Sequence, residues 1–452
     1  MWYNVSAFKL AYKRRKKTMI KRDGYLRKLV ARLDDNRVKV ITGLRRCGKS
    51  YLLFDIFGAW LKKNGYDRRH VVSIQLDDDD AAYLRTPQAL SAWVKKCLPK
   101  DGGKCVVMID EIQMCKPPEG APPDDVTFYD VLNSLRKKKG VSVYVTGSNS
   151  KMLSKDVATN FRDRGIEIRI WPLSFSELLK YRKGEESAVV WDEYLRYGGM
   201  PGAVVENNIE ERERYLKGLF STVYNRDLVE RYRLKDDYIL DAVVTVLSSS
   251  IGGLTNPTKL SNSMSTVGKV RASVPTLKKY MDILEEAFLF SKADRWDVKG
   301  RRYLDYPSKY YSVDIGLRNA KLNFRQQERT HLMENVIYIE LLRRGFSVDV
   351  GVVDVITRDK KGKQVRRQHE IDFVVNSASG KAYIQSAFSL DGEGKSEQEK
   401  MSLKRSGDFF AKLIITSGHE QLWTDEDGIS HVGVIPFLLE EEILTRILKR
   451  AE

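Results

Sequence analysis

Eight residues, Gly43-Leu-Arg-Arg-Cys-Gly48-Lys49-Ser50, directly follow the β-branched run Val38-Lys-Val-Ile-Thr42. The run predicts a buried strand that ends in a sharp turn, and Ser50-Tyr-Leu-Leu-Phe-Asp-Ile-Phe-Gly-Ala-Trp60 predicts a helix from about Lys49 to Leu61. A Gly-x-x-x-x-Gly-Lys-Ser loop between a strand and a helix is built to hold phosphate. Its glycines let the backbone curl until several N–H groups face one anion, and the helix start adds partial positive charge. The chemistry points to ATP with Mg²⁺. Lys49 is expected on the β- and γ-phosphates and the Ser50 hydroxyl on Mg²⁺, with Gly43, Arg46, Cys47, Gly48 and Tyr51 completing the cradle.

Past this loop, strand-like and helix-like stretches alternate: strands near 71–76, 104–109, 141–146 and 166–170, helices near 87–98 and 126–138. That rhythm predicts an α/β core, a parallel sheet covered by helices, with ligand chemistry at the C-terminal strand ends. Cys105-Val-Val-Met-Ile109 delivers Asp110 and Glu111 to that edge. An apolar strand ending in two carboxylates is a Walker B arrangement, in which Asp110 holds the Mg²⁺ shell and Glu111 polarises the attacking water. The next strand runs into Thr146-Gly-Ser-Asn-Ser150, which makes Ser148 or Asn149 the sensor of the γ-phosphate, or a helix cap.

At 452 residues the chain is expected to hold two to four domains, and 42% hydrophobic with 31% charged residues reads as globular. No apolar run approaches the ~20 residues of a membrane span, no signal-peptide core is present, and the cytoplasm is the expected compartment. The four cysteines lack metal-ligand spacing and read as free thiols. Lysine and arginine exceed the carboxylates by 17, which invites DNA or another acidic partner. Residues 1–22 contain eight Lys or Arg and no carboxylate. Residues 1–18 therefore read as a basic extension, either a nucleic-acid or membrane contact, a solvated arm, or sequence ahead of a natural start at Met19.

Taken with the phosphate loop, the segments Ile109-Asp-Glu-Ile-Gln113, Thr146-Gly-Ser-Asn-Ser150 and Pro172-Leu-Ser-Phe-Ser-Glu177 resemble the prokaryotic AAA-type ATPases that carry a C-terminal domain of unknown function. Tyr197-Gly-Gly-Met-Pro201, Lys309-Tyr-Tyr-Ser-Val-Asp-Ile-Gly-Leu317 and Glu334-Asn-Val-Ile-Tyr-Ile-Glu-Leu-Leu-Arg-Arg-Gly345 extend the resemblance over nearly the whole chain from Met19. It implies an AAA+ P-loop core over 19–180 and a homo-oligomer, a hexameric ring by analogy. It also implies an arginine given to the neighbouring subunit's site: Arg164 first and Arg162 second, with Asp163 standing where the family usually has glycine.

Residues 181–250 read as a helical lid and 251–317 as a winged-helix module, in which Lys278 and Lys279 meet phosphates or the module only packs. The segment 318–452 resembles the PD-(D/E)xK nuclease core, with Glu334 and Asp372 at its first two acidic positions. Its third motif reads Gln385-Ser-Ala387, which lacks both the acid and the lysine, so this nuclease-like domain is expected to be inactive. The leading functional reading is a Mg²⁺-dependent ATPase that rearranges an oligomer on a DNA or protein client. The alternatives are a slow nucleotide-gated switch or scaffold and, less favoured, an ATP-dependent nuclease.

Overall fold

The computed structural model describes residues 20–122, 124–147, 164–267, 270–358, 364–378, 380–389 and 395–450. The chain forms two compact units, one ending at Pro172 and one starting at Leu173.

The first unit is built on five parallel strands: β1 (Val38–Thr42), β2 (Val71–Gln75), β3 (Cys105–Asp110), β4 (Val141–Thr146) and β5 (Gly165–Arg169), in the order β2-β3-β4-β1-β5. Every residue of β1 and β3 is buried, the pattern of strands covered on both faces. One face packs Val38, Val40, Val107 and Ile109 against Leu90 and Val94 of the helix Pro87–Cys97 and Val131 and Leu132 of the helix Phe128–Arg136. The second helix opens with a capping box between Thr127 and Asp130, which satisfies amides the first turn leaves free and is worth about 1 kcal/mol. The sheet order sets β4 between the strand carrying the phosphate loop and the strand carrying the acidic pair, so the three C-terminal ends form one edge.

The second unit starts with helices, among them Phe175–Tyr181, Ser187–Tyr197, Ile209–Thr222 and Asp237–Ser249. Phe175 meets Trp191 edge to face at 5.5 Å. Two of the sequence segments quoted above meet here: Gly199 N donates to Asp314 Oδ2 at 2.8 Å, and a Cβ at Gly199 would fall 2.0 Å from the Leu173 carbonyl, so only glycine fits. Helices Pro257–Val267 and Val274–Glu286 precede the antiparallel pair β7 (Phe290–Asp297) and β8 (Arg302–Ser312), with β6 (Leu254–Thr255) beside β8.

These strands continue into β9 (Ser347–Arg358), β10 (Gln364–Ser377), β11 (Gly380–Ala387), β12 (Ala411–Thr416), β13 (Trp423–Thr424) and β14 (Ser430–Gly433). The result is one nine-stranded sheet, ordered β13-β14-β12-β11-β10-β9-β7-β8-β6. The strands of the expected winged-helix module and those of the expected nuclease-like domain are therefore joined by the parallel pairing of β7 with β9. The helix Arg329–Arg343 carries Glu334.

Candidate nucleotide-binding and hydrolysis site

The phosphate loop leaves β1 through Gly43, whose φ is 140° and whose missing Cβ would stand 2.2 Å from the Ile170 carbonyl. Any side chain there drives the loop off the end of β5. Arg46 and Gly48 also take positive φ, 61° and 99°, and Arg46 is left exposed at the loop tip. Cys47 is fully buried, with its thiol 3.6 Å from the Ile170 carbonyl. The following helix is a π-helix over Tyr51–Phe57 and an α-helix over Gly58–Lys63, with Ser50 in helical geometry at its start and Tyr51 half-buried.

Lys49 is buried, and its ammonium donates to the carbonyls of Gly43 at 3.0 Å and Leu44 at 3.1 Å. These two carbonyls hold the ammonium inside the loop. Behind the loop, buried Arg22 donates to the Cys47 carbonyl at 3.1 Å and the Trp171 carbonyl at 2.9 Å, and its guanidinium lies 4.5 Å from the centre of the Tyr25 ring. Arg22 thus ties the loop to the chain leaving β5, a role the sequence reading missed because a lone arginine ahead of a helix carries no pattern.

Two strands away, Asp110 is buried at the end of β3 and accepts a hydrogen bond from the Thr146 hydroxyl. Thr146 Oγ1 also accepts from the Glu111 amide at 3.0 Å. Glu111 itself sits in the left-handed region, φ 50° and ψ 48°, a conformation that costs a non-glycine residue roughly 1–2 kcal/mol. Its carboxylate is held by the Gln113 side-chain amide. Thr146 opens the segment Thr146-Gly-Ser-Asn-Ser150 singled out in the sequence, whose sensor candidates Ser148 and Asn149 lie outside the described residues, as does Arg162. The signal for Thr146 was its place as the last residue of a strand flanking the acidic one.

Arg164 is exposed and immediately precedes β5, and its carbonyl accepts from the amide of Val38, the first residue of β1. It therefore lies at the opposite sheet edge from the loop that leaves β1 at Gly43, about 16 Å away along five residues of strand. Arg136 lies close enough that repulsion from Arg164 adds to burial in lowering its proton affinity. All four cysteines are free thiols; burial pushes Cys105 up to about 11 and Cys115 up to about 12.

The model of an AAA domain matches residues 35–179, and that of a domain of unknown function (DUF8612) matches 189–328. An uncharacterized protein of Haemophilus influenzae is 33% identical over 428 residues, 94% of this chain and 100% of the relative. The chain belongs to the AAA+ P-loop ATPase family. A second relative, an uncharacterized protein of Methanocaldococcus jannaschii, is 25% identical over 91% of this AAA+ chain and 89% of its own. Among solved structures, the Aeropyrum pernix ORC1 protein in complex with DNA covers 68% of this AAA+ chain and 93% of its own at 14% identity and a TM-score of 0.26, a superposition too loose to carry argument. Among the described residues no helix is long and apolar enough to cross a membrane.

Proposed function

We propose that this AAA+ protein hydrolyses ATP with Mg²⁺ and that the residues at the β1, β3 and β4 edge do the work. The observation that carries the proposal is the Thr146 hydroxyl, which bonds both the Asp110 carboxylate and the Glu111 backbone amide and so ties the acidic end of β3 to the end of β4, the strand next to β1. The donor set fits a hard cation: Mg²⁺ is commonly held by one or two carboxylates plus substrate phosphates, which here gives Asp110 and the Ser50 hydroxyl. Bound Mg²⁺ would neutralise charge on the β- and γ-phosphates. Lys49 binds the same phosphates, Glu111 orients and polarises water, and the glycines admit the phosphates to backbone N–H groups.

Arg164 supports a shared site. It lies too far from its own phosphate loop to touch a nucleotide there, and it stands beside the like charge of Arg136, where an anion brought by a neighbouring subunit would relieve repulsion. We read the chain as a homo-oligomer that couples turnover to rearrangement on a DNA or protein client, with a helical segment 181–250, a winged-helix segment 251–317 and a nuclease-like segment 318–452 as client-facing or assembly modules. The excess of 17 positive charges favours DNA. ATPase activity measured across protein concentrations, with and without DNA, tests this. Glu111→Gln is expected to keep ATP binding and abolish turnover, Lys49→Ala to lose binding. Turnover unchanged in Glu111→Gln would remove Glu111 from its role, and a slow rate blind to concentration and DNA would favour the nucleotide-gated switch.

A further inference from the structure

The second unit holds a largely buried cluster of ionisable groups that nucleotide chemistry does not use. The Lys309 side chain, on β8, is 3% exposed, and its ammonium lies 2.8 Å from Glu334 Oε1, 2.7 Å from Glu370 Oε1 and 3.4 Å from Asp372 Oδ1. Three elements converge to make it: β8, the helix Arg329–Arg343 and β10. Around them, the Tyr311 hydroxyl donates to Glu334 Oε1 at 2.7 Å, the Ser386 amide donates to Asp372 Oδ2 at 2.9 Å, and His331 Nδ1 stands 4.0 Å from Glu334 Oε2.

A protonated lysine has three N–H donors and no acceptor. Here the ammonium donates to Glu334 Oε1 and Asp372 Oδ1 and forms an ion pair with Glu370, so three carboxyl groups surround one cation. Coulombic attraction to Glu334, Asp372 and Glu370 raises its proton affinity against the opposing cost of burial, which keeps it charged.

A nuclease-like reading of this unit implies a divalent ion between Glu334 and Asp372. The donor set does not fit one. Mg²⁺ draws its oxygens to about 2.0–2.1 Å and keeps several waters, whereas these oxygens already surround an ammonium, and Glu334 and Asp372 are each about nine-tenths buried. Gln385 and Ala387 on β11 supply neither acid nor lysine, while Lys309 on β8 and Glu370 on β10 join Glu334 and Asp372 in an internal ion cluster rather than an open metal site.

We propose that Lys309 is the resident cation of this cluster and stands in place of a nuclease's divalent metal, so that the second unit is a locked, non-hydrolysing module with a latent metal site beneath the lysine. The comparison rests on the nuclease-like reading given above; the ion cluster rests on its own distances. Replacing the ammonium by an uncharged group removes the cation that Glu334, Asp372 and Glu370 now share, and on this proposal a divalent ion takes its place.

Mn²⁺ uptake by the nucleotide-free full chain tests this, measured by electron paramagnetic resonance of free Mn²⁺ in a D110A background that removes the acid of the nucleotide site. D110A is expected to take up no more Mn²⁺ than D110A/D372N. D110A/K309M is expected to gain one Mn²⁺ per chain, bound at least tenfold more tightly than any Mn²⁺ on D110A, and to melt at a higher temperature when Mn²⁺ is added. A drop in uptake from D110A to D110A/D372N overturns the proposal, as does Mn²⁺-dependent nicking of supercoiled plasmid by the unsubstituted chain that D372N abolishes. A folded K309M chain without added uptake also overturns it. If K309M does not fold, the comparison of D110A with D110A/D372N decides alone. Uptake by K309M without nicking supports the lock and agrees with a nuclease-like domain inactive through Gln385 and Ala387; uptake with nicking supports the lock and overturns that inactivity.

Discussion

The Thr146 hydroxyl donates to the Asp110 carboxylate, and the same oxygen accepts from the Glu111 amide at 3.0 Å. One short side chain therefore sets the direction of the acid that would hold Mg²⁺ and the backbone of the acid that would polarise water. The amide that makes this bond belongs to a residue in the left-handed region, φ 50° and ψ 48°. Thr146→Val keeps the shape and removes the hydroxyl. Its expected effect is a fall in kcat of about 10- to 100-fold with KM for ATP changed less than about threefold, because the loss falls on groups that act in the transition state. Thr146→Ser is expected to restore most of the rate. An equal change in KM and none in kcat would mean that Thr146 serves binding alone.

Arg164 and the phosphate loop lie at opposite edges of one sheet, which makes a mixing experiment decisive. Arg164→Ala and Glu111→Gln are each expected to be inactive alone. In a 1:1 mixture, an interface is complete when one subunit supplies Glu111 and its neighbour Arg164. Random assembly makes that about one interface in four, and the expected rate is about a quarter of the unsubstituted one. A mixture as inactive as its parts would place Arg164 outside a shared site.

How far the sequence carried differs between the two units. In the first, the strand near 141–146, the acids at 110 and 111 and the loop at 43–50 were readable because each is local: a β-branched run, a pair of adjacent residues, a fixed spacing. Thr146 and Arg22 were not, since their importance comes from neighbours 36 and 25 residues away. In the second unit Glu334, Asp372 and Gln385, singled out in the sequence, lie on the helix Arg329–Arg343, on β10 and on β11. What no local pattern showed was that β7 and β8 would extend the same sheet, or that Lys309 would enter a site whose acids lie 25 to 63 residues further on. The absence of a lysine at Ala387 was legible; the presence of one in space was not.

Gly43 gives a test of the loop that does not depend on assembly. With a Cβ 2.2 Å from the Ile170 carbonyl and φ at 140°, Gly43→Ala must move the loop relative to β5. ATP affinity is expected to fall at least tenfold, while the fold is retained with a melting temperature lowered by a few degrees. Gly65→Ala, also at positive φ but with nothing within 4 Å of its Cβ, serves as the control for backbone strain alone and is expected to leave affinity unchanged. Equal affinity in both variants would show that the close approach of Gly43 to β5 does not shape the phosphate cradle.

Glu285 supplies a pH dependence with a definite sign. Burial pushes its carboxyl from the usual 4.5 up to about 7, with the Lys292 amide donating to Oε1 at 3.0 Å as a partial offset. Between about 4.5 and 7 the folded chain keeps a proton that the unfolded chain has released, so the native state binds more protons and stability falls as pH rises. The contribution is fully present below 4.5 and lost by about pH 7. Glutamine keeps the acceptor for the Lys292 amide and does not titrate. Glu285→Gln is therefore expected to gain stability relative to the unsubstituted chain as pH rises through this window, by about 1–3 kcal/mol at roughly 1.4 kcal/mol per pKa unit, discounted for partial exposure. Urea unfolding of both chains at pH 5 and pH 8 measures it. A stability difference that is the same at both values would mean that Glu285 is ionised throughout and that its carboxyl is better solvated than its burial indicates.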